Sequence, residues 1–332
     1  MGLTRAKEKV YLTAAQFYEG VQKKKISRFV LETMDDTKNL IFPDAQKSTT
    51  NIMALETKAN LNKPKSVYEL PTSFSFSQLR SFTNCPYQYK MLYLVKLPAP
   101  GSHYFSFGYS IHLTLQRFYG RVQELNTAQQ TSLFAEVAPK STGIKIPELK
   151  ELIEIYEVAW NSDWYQNKRQ REEYFARGKE MLKQFYTQNE NVWTIPLVLE
   201  GGFTIPIGEW KVTGKIDRLD QLKSGGLQII DYKTGQPKEK LTHEDKEQLL
   251  LYQLAASQDI AYRHYGVVEK LTYCYLENNT QMDFVGSDKD LEELKTELHE
   301  TITKIYATDF NFITRANACG RCEFCKVSEF RS

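Results

Sequence analysis

The sequence predicts an α/β protein, with a mixed central sheet flanked by helices and a large helical insertion placed before most of the strands. Two observations carry this. Residues 121–195 repeat apolar side chains at helical spacing, and from Ile195 the texture changes to short β-branched and aromatic runs separated by glycine. A helix, a strand and a second helix then follow, so helices cover the sheet. With 332 residues, 41% hydrophobic and 25% charged, the chain has ample material for a core.

Charge and cysteine usage narrow the function classes. Lys and Arg number 43 against 41 Asp and Glu, so any nucleic-acid contact relies on a local basic groove rather than on the net charge of +2. Most of the 20 Tyr and 18 Phe serve packing, with some available for stacking. No run is long and apolar enough for a membrane span and no export signal is evident, which predicts a cytoplasmic protein. Five cysteines, three of them crowded near the C-terminus, argue for a reduced compartment and a metal or cluster site rather than a disulfide framework.

Taken in order, residues 1–35 begin with Leu3-Thr4-Arg5-Ala6-Lys7, a strand-like Val10–Thr13, a helical stretch and Ser27-Arg28-Phe29. This order resembles the last motif of UvrD/Rep-like superfamily-1 helicases. The resemblance implies that Arg5 is the arginine that reaches the ATP γ-phosphate, and that the stretch is a remnant of a motor's C-terminal domain. A short basic hairpin is the plainer alternative. No Gly-x4-Gly-Lys-Ser/Thr loop is present, so ATP hydrolysis by that route is excluded. Residues 36–70 are polar, contain Pro43 and Pro64, and read as a linker before a domain spanning 71–332.

Within that domain Ser75 or Ser77 caps a helix carrying Leu79 and Phe82, and Pro86 bends the chain after Cys85. Phe105–Phe118 reads as a loop leading into an amphipathic helix with His112 on it. Helices are expected over Leu149–Trp164 and Arg169–Tyr186, the second opening on the basic cluster Lys168, Arg169 and Arg171. Strands are expected from Ile195 to Ile207, over Glu209–Leu222 after a turn at Gly208, over Leu227–Thr234, and over Val267–Glu277. Thr242 caps a helix over His243–Ala256 with Gln248 and Tyr252 on one face, and Leu291–Ala307 forms the last helix.

The chemistry concentrates at Asp231-Tyr232-Lys233. Period-2 alternation sends Asp231 and Lys233 to one side of their strand and Tyr232 to the other. Asp217 stands at the end of the preceding strand. Acids on two neighbouring strands with a lysine two residues on suit metal-assisted phosphodiester hydrolysis: the acids hold the cation, and the ammonium steadies an attacking water or developing phosphate charge.

Gly108-x3-His112, Gly214-x2-Asp217, Asp231-Tyr-Lys233-Thr and Gln248-x3-Tyr252 occur in that order. The set resembles the RecB/AddB-type branch of the PD-(D/E)xK nucleases over about residues 73–332. The resemblance implies a restriction-endonuclease-like core and Mg²⁺ or Mn²⁺ held by Asp217, Asp231 and His112. It also implies a Lys233 that orients or activates water, and a Gln248 and Tyr252 that support the site or touch DNA. Glu200 resembles an acid near the start of that family's core. For His112, Gln248 and Tyr252 the plainer alternative is packing.

Cys319, Cys322 and Cys325 with Cys85 offer four thiolates, for which spacing alone does not choose between Zn²⁺ and a 4Fe-4S cluster. The resemblance favours iron, although the family's usual Cys-x2-Cys-x5-Cys would put its third cysteine at Ser328, where Cys325 must substitute. Cys274 reads as a buried core thiol. The resulting expectation is a metal-dependent DNA nuclease of the helicase–nuclease type used in recombination and double-strand-break repair, with DNA and a helicase motor as partners. A catalytically silent DNA-binding or scaffolding remnant is the rival, and a zinc-stapled interaction module would explain the cysteines alone.

Overall fold

One six-stranded mixed sheet organises the computed structural model, which describes residues 68–99, 101–127, 143–315 and 318–326. Its strands are β1 (Ser73–Ser75), β2 (Val198–Ile207), β3 (Trp210–Gln221), β4 (Leu227–Lys233), β5 (Val268–Tyr275) and β6 (Thr280–Phe284). The long β3 pairs antiparallel with β2 from Val198↔Leu219 to Ile207↔Trp210. β1 lies parallel to its first residues, at Phe74↔Val212, and β4 runs antiparallel to its last ones, from Gln221↔Leu227 to Arg218↔Ile230. β5 is parallel to β4 and β6 closes that side. The tight β2–β3 turn uses Gly208 at φ +60°, a region that L side chains resist.

Alternation along the strands feeds two cores. Leu219, Ile229 and Leu271 face α1 (Phe76–Asn84), α6 (His243–Gln258) and α7 (Asp288–Ala307). Ile230, Tyr232 and Cys274 face α3 (His103–Thr127), α4 (Leu149–Ala159) and α5 (Lys168–Asn189). α2 (Pro86–Tyr89) and a π turn over Lys90–Leu94 follow α1 and pack into the first core through Tyr89, Tyr93 and Leu94, and α8 (Glu323–Lys326) comes last in the chain. Because β4 is covered on both faces, its apolar residues run on without strict alternation, as buried strands do.

Capping sets the helix starts. Ser75 begins α1, its Oγ accepting from Gln78 N while Gln78 Oε1 accepts from Ser75 N at 2.7 Å. Thr242 and Asp245 make the same reciprocal box at α6, and Ser287 with Asp290 does so at α7. Pro86 opens α2, where a missing N–H costs nothing. No helix among the described residues is long and apolar enough to cross a membrane.

Several local expectations need correction. α3 begins at His103, so Phe105–Gly108 is helix rather than loop; Gly108 is accommodated inside it. The helix expected over Leu149–Trp164 stops at Ala159, where Trp160 turns extended at ψ 120°. α7 starts three residues early because its cap is Ser287. The short strands β1 and β6 were not foreseen: three and five residues carry too little pattern. Within the expected insertion, α4 and α5 share one core with α3, β4 and β5. The expectations for residues 1–67, Arg5 included, lie outside the described residues, as do Ser328 and residues 128–142 of the insertion.

Candidate active site

The β3–β4 ladder ends at Arg218↔Ile230, and the site lies one step beyond. Continuing that register puts Asp217 opposite Asp231. On the other side of β3, the pairs Leu199↔Arg218 and Gly201↔Ile216 leave Glu200 facing Asp217. Three carboxylates therefore occupy one row across three strands. Where backbone pairing stops, the Asp217 side chain replaces it, Oδ2 accepting from Tyr232 N at 3.2 Å. Glu200 sits at φ +48°, a conformation that costs a non-glycine residue about 1 kcal/mol or more. Gly201 beside it is fixed by packing, because a Cβ there would lie 2.6 Å from the Tyr262 hydroxyl.

His112 reaches this row from α3. Its Nε2 lies 2.9 Å from the Tyr232 carbonyl, an arrangement in which Nε2–H donates and Nδ1 keeps its lone pair. That Nδ1 points at Asp217 Oδ2, 3.3 Å away. Two acceptors face each other there, which requires a proton or a cation between them. Ligand atoms of His112, Glu200 and Asp217 all lie within 4.8 Å of one another.

Asp231 and Lys233 project together from β4, and Tyr232 turns into the opposite core, as the alternation predicted. Lys233 Nζ is 2.7 Å from Asp231 Oδ2. Gln248 on α6 bridges the pair: its Nε2 donates to Asp231 Oδ1 at 2.9 Å, and its Oε1 accepts from Lys233 Nζ at 3.0 Å. Tyr252, one turn on, has its hydroxyl 2.8 Å from the same Nε2. Burial first, and the two acids next, raise the Tyr252 phenol above its ordinary range, so it stays protonated.

The donor set fits a hard divalent cation. Burial, reinforced by Asp231 and then Glu200, pushes the Asp217 carboxyl up to about 8. Acids crowded this closely, with Lys233 ion-paired to Asp231, raise one another's affinity for a proton or a cation. Asp231 Oδ2 is buried and accepts no hydrogen bond, although the ammonium is near it. Carboxylates with one imidazole, whose Nε2 is held by a backbone carbonyl, are donors that could hold a divalent cation, with a second-layer hydrogen bond already in place.

A second cluster joins the distant cysteines. Cys85, at the start of α2, meets Cys319, Cys322 and Cys325, with Sγ separations of 3.8 Å (Cys322–Cys85), 3.9 Å (Cys85–Cys325), 3.8 Å (Cys319–Cys325) and 3.0 Å (Cys322–Cys325). Cys325 fills the fourth corner. Backbone N–H groups of Arg321 and Cys322 hold the Cys319 thiol down at about 6, and burial pushes Cys322 and Cys325 up. Cys274 is buried in the α3–α5 core, its thiol pushed up to about 12 by burial.

Sequence reasoning missed the network behind the row. Arg218 and Asp220 are both nearly inaccessible, paired through Nε–Oδ1 at 2.7 Å. Arg218 also donates to the Tyr232 hydroxyl at 2.9 Å, bonds Thr194, and lies 3.8 Å over the Tyr119 ring. Arg218 follows Asp217 and Tyr232 follows Asp231, so this bond ties the two site strands from behind. Arg-x-Asp on a strand, with both side chains on the face that Tyr232 occupies, was the available signal.

With that geometry in place, comparison with known proteins gives three findings. Gene 69 protein of Mycobacterium phage L5 is 24% identical over 287 residues, covering 75% of this chain and 93% of the relative. A crystal structure from Eubacterium rectale, provisionally named an exonuclease, has 11% identity and a TM-score of 0.43, covering 77% of this chain and 88% of that one. The family model described as the PD-(D/E)XK nuclease superfamily matches residues 73–329. The chain belongs to the PD-(D/E)XK nuclease superfamily.

Proposed function

We propose that this chain is a metal-dependent deoxyribonuclease that hydrolyses phosphodiester bonds in single-stranded or end-bearing DNA. The observation that carries the reading is the row Glu200–Asp217–Asp231 with Lys233 ion-paired to its inner end. Asp217, Asp231 and His112, joined by Glu200, would hold Mg²⁺ or Mn²⁺. A bound ion supplies Lewis-acid polarisation of the phosphate and a bound water of lowered pKa. Lys233 lies beside Asp231, where it can orient a water and meet negative charge developing on the phosphate. Gln248 holds Lys233 and Asp231 in mutual register, and Tyr252 fixes the Gln248 amide.

The cysteine quartet is read as a four-thiolate staple between α2 and the last described residues. The resemblance to RecB/AddB-type nucleases supports a 4Fe-4S cluster, with which the Cys319-x2-Cys322-x2-Cys325 spacing is compatible. Three Sγ separations of 3.8–3.9 Å support a second reading, because a tetrahedron of Zn–S bonds of about 2.3 Å has edges of about 3.8 Å, although Cys322–Cys325 at 3.0 Å is shorter than such an edge. Visible absorption and metal analysis of anaerobically purified protein decide between a brown iron protein and a colourless one holding zinc.

The Thr4-Arg5-Ala6 stretch supports work beside a helicase motor in recombination or end repair. The test of the whole reading is hydrolysis. Wild type with Mg²⁺ or Mn²⁺ degrades DNA, and Asp231→Ala does not. A wild type that binds DNA and leaves it intact with both ions is instead a silent binding remnant.

A further inference from the structure

The acid row opens onto a groove with an aromatic wall. A cavity of about 500 Å³ is lined by Tyr104, Phe105, Tyr109, His112, Lys215 and Asp217. Leu113 and Gln116 also line a second hollow of about 610 Å³, which continues past Arg117 and Leu199. Phe105, Tyr109, Leu113 and Arg117 recur every four residues on α3, forming one stripe roughly 18 Å long beside the site.

Two features of this stripe point to a ligand. Phe105 is 79% exposed, Tyr104 68% and Tyr109 54%, a contiguous aromatic group at the rim of a polar site rather than scattered apolar residues. Lys215 and Arg117 are exposed, and among the described residues neither has an ion-pair partner, whereas Arg121, Lys168, Arg169 and Lys179 are each matched to a glutamate. Gly108, on the same wall, is not demanded by packing: a Cβ there would meet only Thr234 Oγ1 at 3.7 Å. An alanine would favour the helix, so the open space beside His112 is kept at some cost in stability.

We propose that this stripe is a stacking track for an unpaired nucleic-acid strand. Bases stack on Phe105 and Tyr109, Lys215 and Arg117 meet the phosphates, and the strand passes over Gly108 to the carboxylate row. Exposed ring faces with unpaired cations suit single strands, whose base faces are free, and do so with little sequence preference. A duplex has already stacked those faces on each other. This proposal rests on the nuclease reading for what happens at the end of the track, and the rings and cations carry the binding.

Fluorescence anisotropy of the full chain in EDTA separates the two. The probes are labelled oligothymidine, an abasic oligonucleotide of equal length, and a blunt duplex. Oligothymidine is expected to bind at least ten-fold more tightly than either other probe, and Phe105→Ala/Tyr109→Ala to remove most of that gap. Lys215→Ala/Arg117→Ala is expected to weaken all three and to reduce the salt dependence. All four positions are exposed or rim residues, and circular dichroism checks that the variants fold. Equal binding of oligothymidine and the abasic probe, or a double aromatic variant that keeps the full gap, overturns the track even if wild type cleaves DNA with Mn²⁺. Base-dependent binding by a wild type that never cleaves retains the track and defeats the nuclease reading.

Discussion

Lys233 folds back along its own strand to lie 2.7 Å from the buried carboxylate of Asp231. The pair is held from outside the strand by Gln248, which contacts both partners at once. Gln248→Ala therefore leaves the charges in place and removes their alignment. Cleavage should fall about 10–100-fold, the usual effect of losing an outer partner at a metal site, with little change in the thermal midpoint. A variant with wild-type activity would mean that the α6 amide is only packing.

Asp217 gives a pH prediction with a definite sign. Its carboxyl titrates near 8 in the folded chain without metal, against about 4 when unfolded. Between those values the folded state keeps a proton that the unfolded state has released, so stability falls as pH rises through the window. In EDTA the thermal midpoint should decline from about pH 5 to pH 8, and Asp217→Asn should flatten the decline. Mn²⁺ should restore the midpoint at pH 8, where the carboxylate is most available. A wild-type midpoint that rises over this range would show that Asp217 is not crowded by its neighbours.

Arg218 and Asp220 are a buried ion pair, and breaking one side leaves an uncompensated charge. Arg218→Met should cost about 3–5 kcal/mol in urea unfolding, and Arg218→Met/Asp220→Leu distinctly less. The double variant further isolates the Arg218–Tyr232 tie. Cleavage lost in a stably folded double variant would assign this network a part in aligning the two site strands.

For the cysteines, Cys325→Ser should lose bound metal and lower the thermal midpoint, whereas Cys274→Ala should retain the full metal content. Metal analysis beside thermal melts checks both. Equal metal content in wild type and Cys325→Ser would remove Cys325 from the centre.

Much of this was legible in the sequence because the signals were local. Alternation at Asp231-Tyr232-Lys233 fixed which side chains share a face, and Thr242 four turns before the end of α6 fixed where Gln248 and Tyr252 would sit. Glu200 was less legible. Its place depends on a cross-strand register and on a left-handed backbone, which no spacing reveals. The α3 start was misread because aromatic residues and a glycine resemble a loop when the groove they line is unseen. The Arg218–Asp220–Tyr232 network was hidden for the converse reason: charged residues read as surface until burial pairs them.

Metal-dependent hydrolysis by the Glu200–Asp217–Asp231 row with Lys233 is the proposal on which the others depend. Its most direct test is cleavage of an end-labelled single-stranded oligonucleotide by purified wild type, Asp217→Asn, Glu200→Gln and Lys233→Ala, each with Mn²⁺ and with EDTA. Wild type is expected to degrade the strand with Mn²⁺ and not in EDTA, and each variant to lose at least about 100-fold. Degradation that persists in EDTA, or in Lys233→Ala at the wild-type rate, would contradict the proposal.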